Sequence, residues 1–149
     1  TGDYDAVILA AAGLHRLQLD QEPDLDYTYF DTEEFIPAAG QAIIAVEGPA
    51  DGEIAELIRG ICDERAFTEL AAERGFMKGI NAGCHEAVGA FAQLQEDGSL
   101  NMEVMKDYDG QMFVHRAEDA QGNAAALAER LARRILEDAP GSCCGQEEQ

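Results

Sequence analysis

The sequence predicts an α+β fold: a small C-terminal domain with a three-stranded antiparallel sheet covered by helices, preceded by a remnant of an α/β domain pair. Three observations predict it. Asp97-Gly98 and Asp109-Gly110 separate three short apolar-alternating runs, and Asp-Gly is among the strongest short hairpin signals. Helical stripes of apolar residues flank those runs on both sides. Near the start of the chain, Ala6–Ala10 and Gln41–Glu47 are continuous apolar runs, the pattern of strands buried on both faces, yet the strands that would flank them do not follow.

In chain order, Ala6–Ala10 (AVILA) reads as a buried parallel-type strand, and Ala12-Gly13-Leu14 turns into a short helix carrying His15 and Arg16. Gln18 to Thr32 is acidic, contains Pro23 and reads as a loop. Ile36 precedes a proline and is extended. Gln41–Glu47 (QAIIAVE) is the second buried-type strand, and Pro49 to Gly52 marks a boundary. These readings divide the chain into residues 1–48, the α/β remnant; 49–140, the α+β domain; and 141–149, a polar tail.

Beyond the boundary, Ile54, Leu57, Ile58, Ile61 and Cys62 form an amphipathic stripe, which places Cys62 among buried apolar groups. Asp63 is placed to cap the next helix, whose apolar face is predicted to be Phe67, Leu70, Ala71, Met77 and Ile80. Asn81-Ala82-Gly83 stops that helix, because asparagine and glycine tolerate the left-handed conformation that closes one. Cys84 is then left on a helix-to-strand loop. Strands follow at about 87–95, 100–106 and 111–116. Val88, Ala90, Ala92 and Leu94 are expected to share a face with Leu100, Met102, Val104, Met112 and Val114. A last helix over about 123–138 sets Ala124, Leu127, Ala128, Leu131, Ile135 and Leu136 on one side, and Pro140-Gly141 ends it.

The 149 residues include 10 basic and 30 acidic ones, a net charge of −20. That field disfavours nucleic acid and anionic membrane surfaces as partners. No apolar run is long enough to span a bilayer, and no secretory or transit signal is visible. A start at Thr1 that leads directly into a strand-like run reads as a chain cut from something longer. The 4 cysteines do not read as a disulfide framework, which favours a reducing, cytoplasmic setting. Cys143-Cys144 fall in the tail.

Cys84-His85-Glu86 admits several readings. An untasked loop thiol is the plainest. A Cys–His nucleophilic pair is disfavoured because adjacent side chains of an extended segment point to opposite faces. A metal site lacks further ligands at a suitable spacing, although Cys84, His85, Cys143 and Cys144 define that alternative. Attachment of an organic group through the sulfur needs only an accessible thiol beside an electropositive cleft. Arg16 follows a buried strand and a glycine turn, where α/β sheets place ligand-binding groups, and its guanidinium suits a carboxylate; a solvated arginine is the alternative. His15 and His115 read as structural or surface residues. Arg130, Arg133 and Arg134 read as a solvated patch paired with Glu129 and Glu137.

Three stretches taken together, DYDAVILAAAGLHRL (3–17), YFDTEEFIPAAGQAIIAVE (29–47) and 72–92 with Ala-Glu-Arg followed by Asn-Ala-Gly-Cys, resemble porphobilinogen deaminase (hydroxymethylbilane synthase), C-terminal portion. The resemblance implies two α/β domains of periplasmic-binding-protein type flanking a cleft, and a third α+β domain presenting a cysteine. It implies a transferase of porphyrin and heme biosynthesis that condenses four porphobilinogen molecules into a linear tetrapyrrole with release of ammonia. A dipyrromethane cofactor would be thioether-linked to Cys84, with Arg16 and Gln41 contributing to the cleft. The family is typically monomeric. The same resemblance assigns no catalytic residue and no metal ligand to this chain, so the isolated chain is expected to be inactive. A non-enzymatic α+β partner-binding module over about 49–140 is the alternative. The sequence departs from the family pattern at Ala42 and Ala82, where glycine is usual, and at His85-Glu86-Ala87, where Gln-Val-Pro is common.

Overall fold

Two turns organise the sheet. Asp109 and Gly110 both take left-handed φ, 53° and 87°, and close a two-residue hairpin of the type whose twist matches the flanking strands. Gly98, φ 86°, serves the other turn, where the Asp97 carboxylate accepts the Ser99 N–H and hydroxyl at 2.9 and 2.7 Å. The structure, a computed structural model, describes residues 4–83 and 86–140. It divides between Phe35 and Ile36 into two compact units.

In the second unit, β1 (Val88–Leu94), β2 (Leu100–Tyr108) and β3 (Gln111–Asp119) form an antiparallel meander in the order β1-β2-β3. Ala90 pairs with Val104 and Ala92 with Met102, so even-numbered residues of both strands share a face. On β3 the expectation fails. The two-residue turn pairs Val104 with His115 and Met102 with Ala117, so odd-numbered residues of β3 join that face. Phe113 and Ala117 pack on the core, while Met112 and Val114, predicted inward, are exposed on the other side. A one-residue change of parity exchanges the two faces of a strand, and turn length sets that parity.

Two helices cover the inner face. The helix numbered α3 here, Glu64–Gly79, starts at Asp63, whose carboxylate accepts the Arg65 and Ala66 N–H groups at 2.9 and 3.1 Å, the predicted cap. The last helix, α4 (Ala124–Glu137), starts at Asn123, which accepts from Ala126 N–H at 3.1 Å. Leu127, Ala128, Leu131, Ala132 and Ile135 of α4 are buried, whereas Leu136 is exposed. Gly75 and Gly79 let the helices approach closely: a Cβ at either would meet the Ala128 or Ala132 Cβ at 3.0 or 2.7 Å. The buried line of α3 is Ala72, Glu73, Phe76 and, just past its end, Ile80. Phe67 and Ala71 are exposed, contrary to expectation. The true line runs through a carboxylate, and beside it glycines make the interhelical approach, so apolar periodicity does not mark it.

Outside this sandwich the expected burial does not occur. Neither Ala6–Ala10 nor Gln41–Glu47 forms a strand, and Val7, Ile8, Leu9, Ile44 and Val46 are exposed. A strand's N–H and C=O groups need a neighbouring strand, and no described segment pairs with either run. The first unit holds α1 (Ala11–Leu17), a 3₁₀ turn (Leu19–Gln21) and a stacked Phe30–Phe35 pair with centroids 5.5 Å apart. In the second unit, α2 (Glu53–Gly60) forms as predicted but buries only Ala55. Ile54, Leu57 and Ile61 of its stripe are exposed, and so is Cys62, which was expected to be buried. The polar tail 141–149, with Cys143-Cys144, lies outside the described residues.

Candidate functional site

The helix stop before Cys84 is built in full. Asn81, φ 52°, follows the last turn of α3; its N–H reaches the Lys78 carbonyl and the Ala82 N–H reaches the Met77 carbonyl, both at 3.1 Å. This is the paired hydrogen bonding of a Schellman motif, which satisfies two carbonyls the helix end would otherwise leave open. Ala82 is absent from the positive-φ residues, so alanine meets no backbone strain there. Ala42 differs. Its φ of 68° is one that glycine adopts without strain.

Cys84 and His85 lie outside the described residues; the residues on either side of them are tightly held. Gly83 donates its N–H to Glu86 Oε1 at 2.9 Å, and Glu86 returns its own N–H to the Gly83 carbonyl at 3.3 Å. The second carboxylate oxygen of Glu86 pairs with the Lys106 ammonium of β2, whose side chain is only 8% exposed. Lys106 Nζ also lies 5.2 Å from the Tyr108 ring centroid, within cation–π range. The Lys106 hydrogen bond, then the Gly83 N–H, holds the Glu86 carboxyl below its ordinary range.

A second cluster surrounds Gln41. Gln41 itself is exposed, in a turn closed by its N–H on the Ala38 carbonyl at 3.0 Å. The preceding residues are anchored: Ile36 is buried, Ala39 packs against the core, and Gly40 N–H donates to Glu73 Oε2 at 2.6 Å. The other oxygen of Glu73 accepts the Ala92 N–H of β1 at 2.9 Å. Burial pushes the Glu73 carboxyl up despite these two hydrogen bonds, and nearby Glu69 adds to the rise. Arg16 lies in the first unit, exposed in the last turn of α1. Gln41 and the residues flanking Cys84 thus share one unit, while Arg16 belongs to the other. His15 Nε2 lies 3.0 Å from the Tyr29 hydroxyl, and His115 Nε2 lies 2.6 Å from Asp138 Oδ2. Of the basic residues on α4, Arg133 pairs with Glu129 at 3.1 Å, and Arg130 donates to the Glu118 carbonyl at 2.5 Å.

Glu73 and Lys106 were not singled out in the sequence. A signal existed for Lys106: it follows Leu100, Met102 and Val104 in strand alternation, and a lysine at an inward position needs an anion. Glu73 stood only within the Ala-Glu-Arg stretch that carries the resemblance, and its residue type gave no sign of burial, because an acidic residue in a helix is ordinarily solvated.

In comparison with known proteins, two family models match. One, described as porphobilinogen deaminase, dipyromethane cofactor binding domain, covers residues 1–56; the other, porphobilinogen deaminase, C-terminal domain, covers residues 67–137. The porphobilinogen deaminase of Thermus thermophilus is 38% identical over 139 residues, which is 91% of this chain and 45% of that protein. That of Roseiflexus castenholzii is 37% identical over 143 residues, 91% of this chain and 44% of the relative. That of Clostridium botulinum is 34% identical over 134 residues, 90% and 45% respectively. The chain therefore spans less than half the length of the curated relatives it matches. Arg16 and Gln41 fall within the first matched region, and the Gly83–Glu86 loop falls within the second.

Proposed function

The chain belongs to the porphobilinogen deaminase family, and we propose that it supplies that family's cofactor-bearing C-terminal portion, with Cys84 as the thioether anchor of a dipyrromethane. On this reading residues 1–48 are what remains of the cleft-forming α/β domains, and the whole protein condenses four porphobilinogen molecules into hydroxymethylbilane with loss of ammonia. The observation that carries the reading is local. In sequence one cysteine follows directly on a completed helix stop, and of the residues either side of positions 84–85, Gly83 and Glu86 are hydrogen-bonded to each other and Glu86 also to the buried Lys106.

The residues present fit such a group in part. A thiol can form the tether, the exposed Arg16 guanidinium suits a pyrrole carboxylate, and the exposed Gln41 amide can donate or accept. Lys106 is already committed to Glu86 and is not free for a carboxylate. Dipyrromethane, when bound, supplies the primer on which pyrrole units are added. This chain's contribution is to hold the sulfur in place and to line the cleft. With a net charge of −20, Arg16 as the only proposed carboxylate-binding arginine, and no assigned acid–base group, the 149 residues alone are inactive.

Intact mass after co-expression with the remaining half of a relative tests the anchor. A dipyrromethane-sized adduct that disappears in Cys84→Ser is expected; an unmodified Cys84 under conditions that load the relative itself would overturn the assignment. A deaminase assay on the isolated chain is expected to give no bilane, and sustained production would show that the chain is self-sufficient.

A further inference from the structure

The outer edge of β1 is sealed in an unusual way. β1 pairs with β2 on one side only, leaving the outward N–H groups of Ala90, Ala92 and Leu94 to find other acceptors. Leu94 donates to Glu69 Oε1 and Ala92 to Glu73 Oε1, both at 2.9 Å. The spacing has a geometric reason. Four residues of helix rise about 6 Å and two residues of strand about 6.6 Å, so carboxylates at i and i+4 of α3 meet alternate strand amides. One helical turn further on stands Met77, which has no acceptor to offer. There Pro37 takes over: its carbonyl accepts the Ala90 N–H at 2.9 Å.

The segment 36–40 therefore completes a ladder that α3 begins, and its fit is close. A Cβ on Gly89 would meet the Ile36 carbonyl oxygen at 2.8 Å, so only glycine lets the segment sit against β1. A Cβ on Gly40, whose φ is 78°, would touch Leu70 of α3 at 3.4 Å. Glu73 joins the two halves of this arrangement. It is 5% exposed, and its oxygens accept one N–H from β1 and one from Gly40, the residue before Gln41. Past Gly40 the backbone bonds are those of the turn itself, Gln41 N–H to the Ala38 carbonyl at 3.0 Å and Ile43 N–H to the Gly40 carbonyl at 3.2 Å; beyond it Ile44 and Val46 are exposed and the run to Glu47 pairs with no described strand.

We propose that Glu73 is a positioning residue for Gln41: it fixes the 36–41 turn to the edge of β1, so that Gln41 is held to the sheet of the unit that carries the residues flanking Cys84. The assignment of Gln41 to the substrate cleft rests on the function proposed above; the attachment itself does not.

Amide hydrogen exchange and ¹⁵N relaxation on the 149-residue chain test it. In the unmodified protein the Gly40 amide is expected to be protected to the same degree as Ala92. In Glu73→Ala, protection of Gly40 falls at least about tenfold and the order parameter of Gln41 drops below about 0.6, while Leu127 and Leu131 of α4 keep theirs. Glu73→Gln retains one acceptor oxygen, so it preserves protection at one of the two amides and loses it at the other. A Gly40 amide that is unprotected in the unmodified chain overturns the proposal. So does an unchanged Gly40 in Glu73→Ala, or a loss shared equally with α4. If Glu73→Ala does not fold, the unmodified chain and Glu73→Gln decide the question. Absence of an adduct on Cys84 would remove the functional reading and leave the exchange result standing; loss of the exchange pattern with the adduct present would remove this inference alone.

Discussion

The sandwich of β1–β3, α3 and α4 and the apolar runs at residues 6–10 and 41–47 both carry apolar residues and meet opposite fates. In the sandwich, Phe76, Leu100, Leu127 and Leu131 are fully buried, each facing apolar residues from another element of the same domain. In the runs, Ile44 is 85% exposed and Val7 70%, although their sequences read as more completely buried than any strand of the meander. Apolar character states what a segment requires, and burial follows only where the chain also supplies the partner. Among the described residues the sandwich elements find one another, and no segment pairs with either run.

The sharpest way to break this comparison is to truncate one side chain in each region. Phe76→Ala should cost about 3–5 kcal/mol of unfolding free energy, as expected for a buried aromatic, whereas Ile44→Ala should change it by less than about 0.5 kcal/mol. Denaturant titration at several protein concentrations measures both. A cost above about 1 kcal/mol for Ile44→Ala would mean that the run is covered in solution, and a concentration-dependent cost would identify a second copy as the cover.

A smaller effect is expected at Ala42, inside the uncovered run. Its φ of 68° is unfavourable for alanine and free for glycine, while glycine adds entropy to the unfolded chain. Ala42→Gly should therefore stabilise by about 0.5 kcal/mol, readable as a small rise in thermal midpoint. The matching change Ala82→Gly should give no gain, because Ala82 already has negative φ. Equal responses at the two sites would show that the Ala42 conformation is not held in solution.

The smallest effect concerns the Glu86–Lys106 pair at the margin of the sandwich. The folded carboxyl of Glu86 is held below its ordinary 4.5, so its contribution is complete above that value and is lost as pH falls through the lower folded one. The stability difference between the unmodified protein and Glu86→Gln should accordingly be constant near neutrality and shrink below about pH 4.5. Glu73, raised by burial, has the opposite sign: its ionisation weighs against the fold as pH rises through its folded value. A Glu86→Gln difference that grows on acidification would place Glu86 away from Lys106.

Much of the domain was legible beforehand. The two Asp-Gly turns, the Asp63 cap, the stop at Asn81 and the helix that follows Asn123 all formed where their residues predicted. Of the candidate site, the sequence showed the helix stop that precedes Cys84, while Cys84 itself lies outside the described residues and Arg16 and Gln41 rested on resemblance. The residues that hold the loop and turn, Glu73 and Lys106, were not legible, because each acts on a partner far along the chain. Lys106 is 20 residues from Glu86, and Glu73 is 33 from Gly40.

What the sequence determined by itself was the set of local events: where helices start and stop, where the chain turns back, and which motifs follow in which order. These depend on φ preferences and hydrogen bonds within a few residues, which the local residues carry in full. The face of β3 that points inward follows from the two-residue Asp109-Gly110 turn, against the apolar alternation of Met112 and Val114; tertiary structure alone decided which line of α3 is buried, and that two apolar runs and the stripe of α2 stay exposed. Each of those depends on register and on partners distant in the chain, where free energy comes from area jointly removed from water and not from any one segment's own composition.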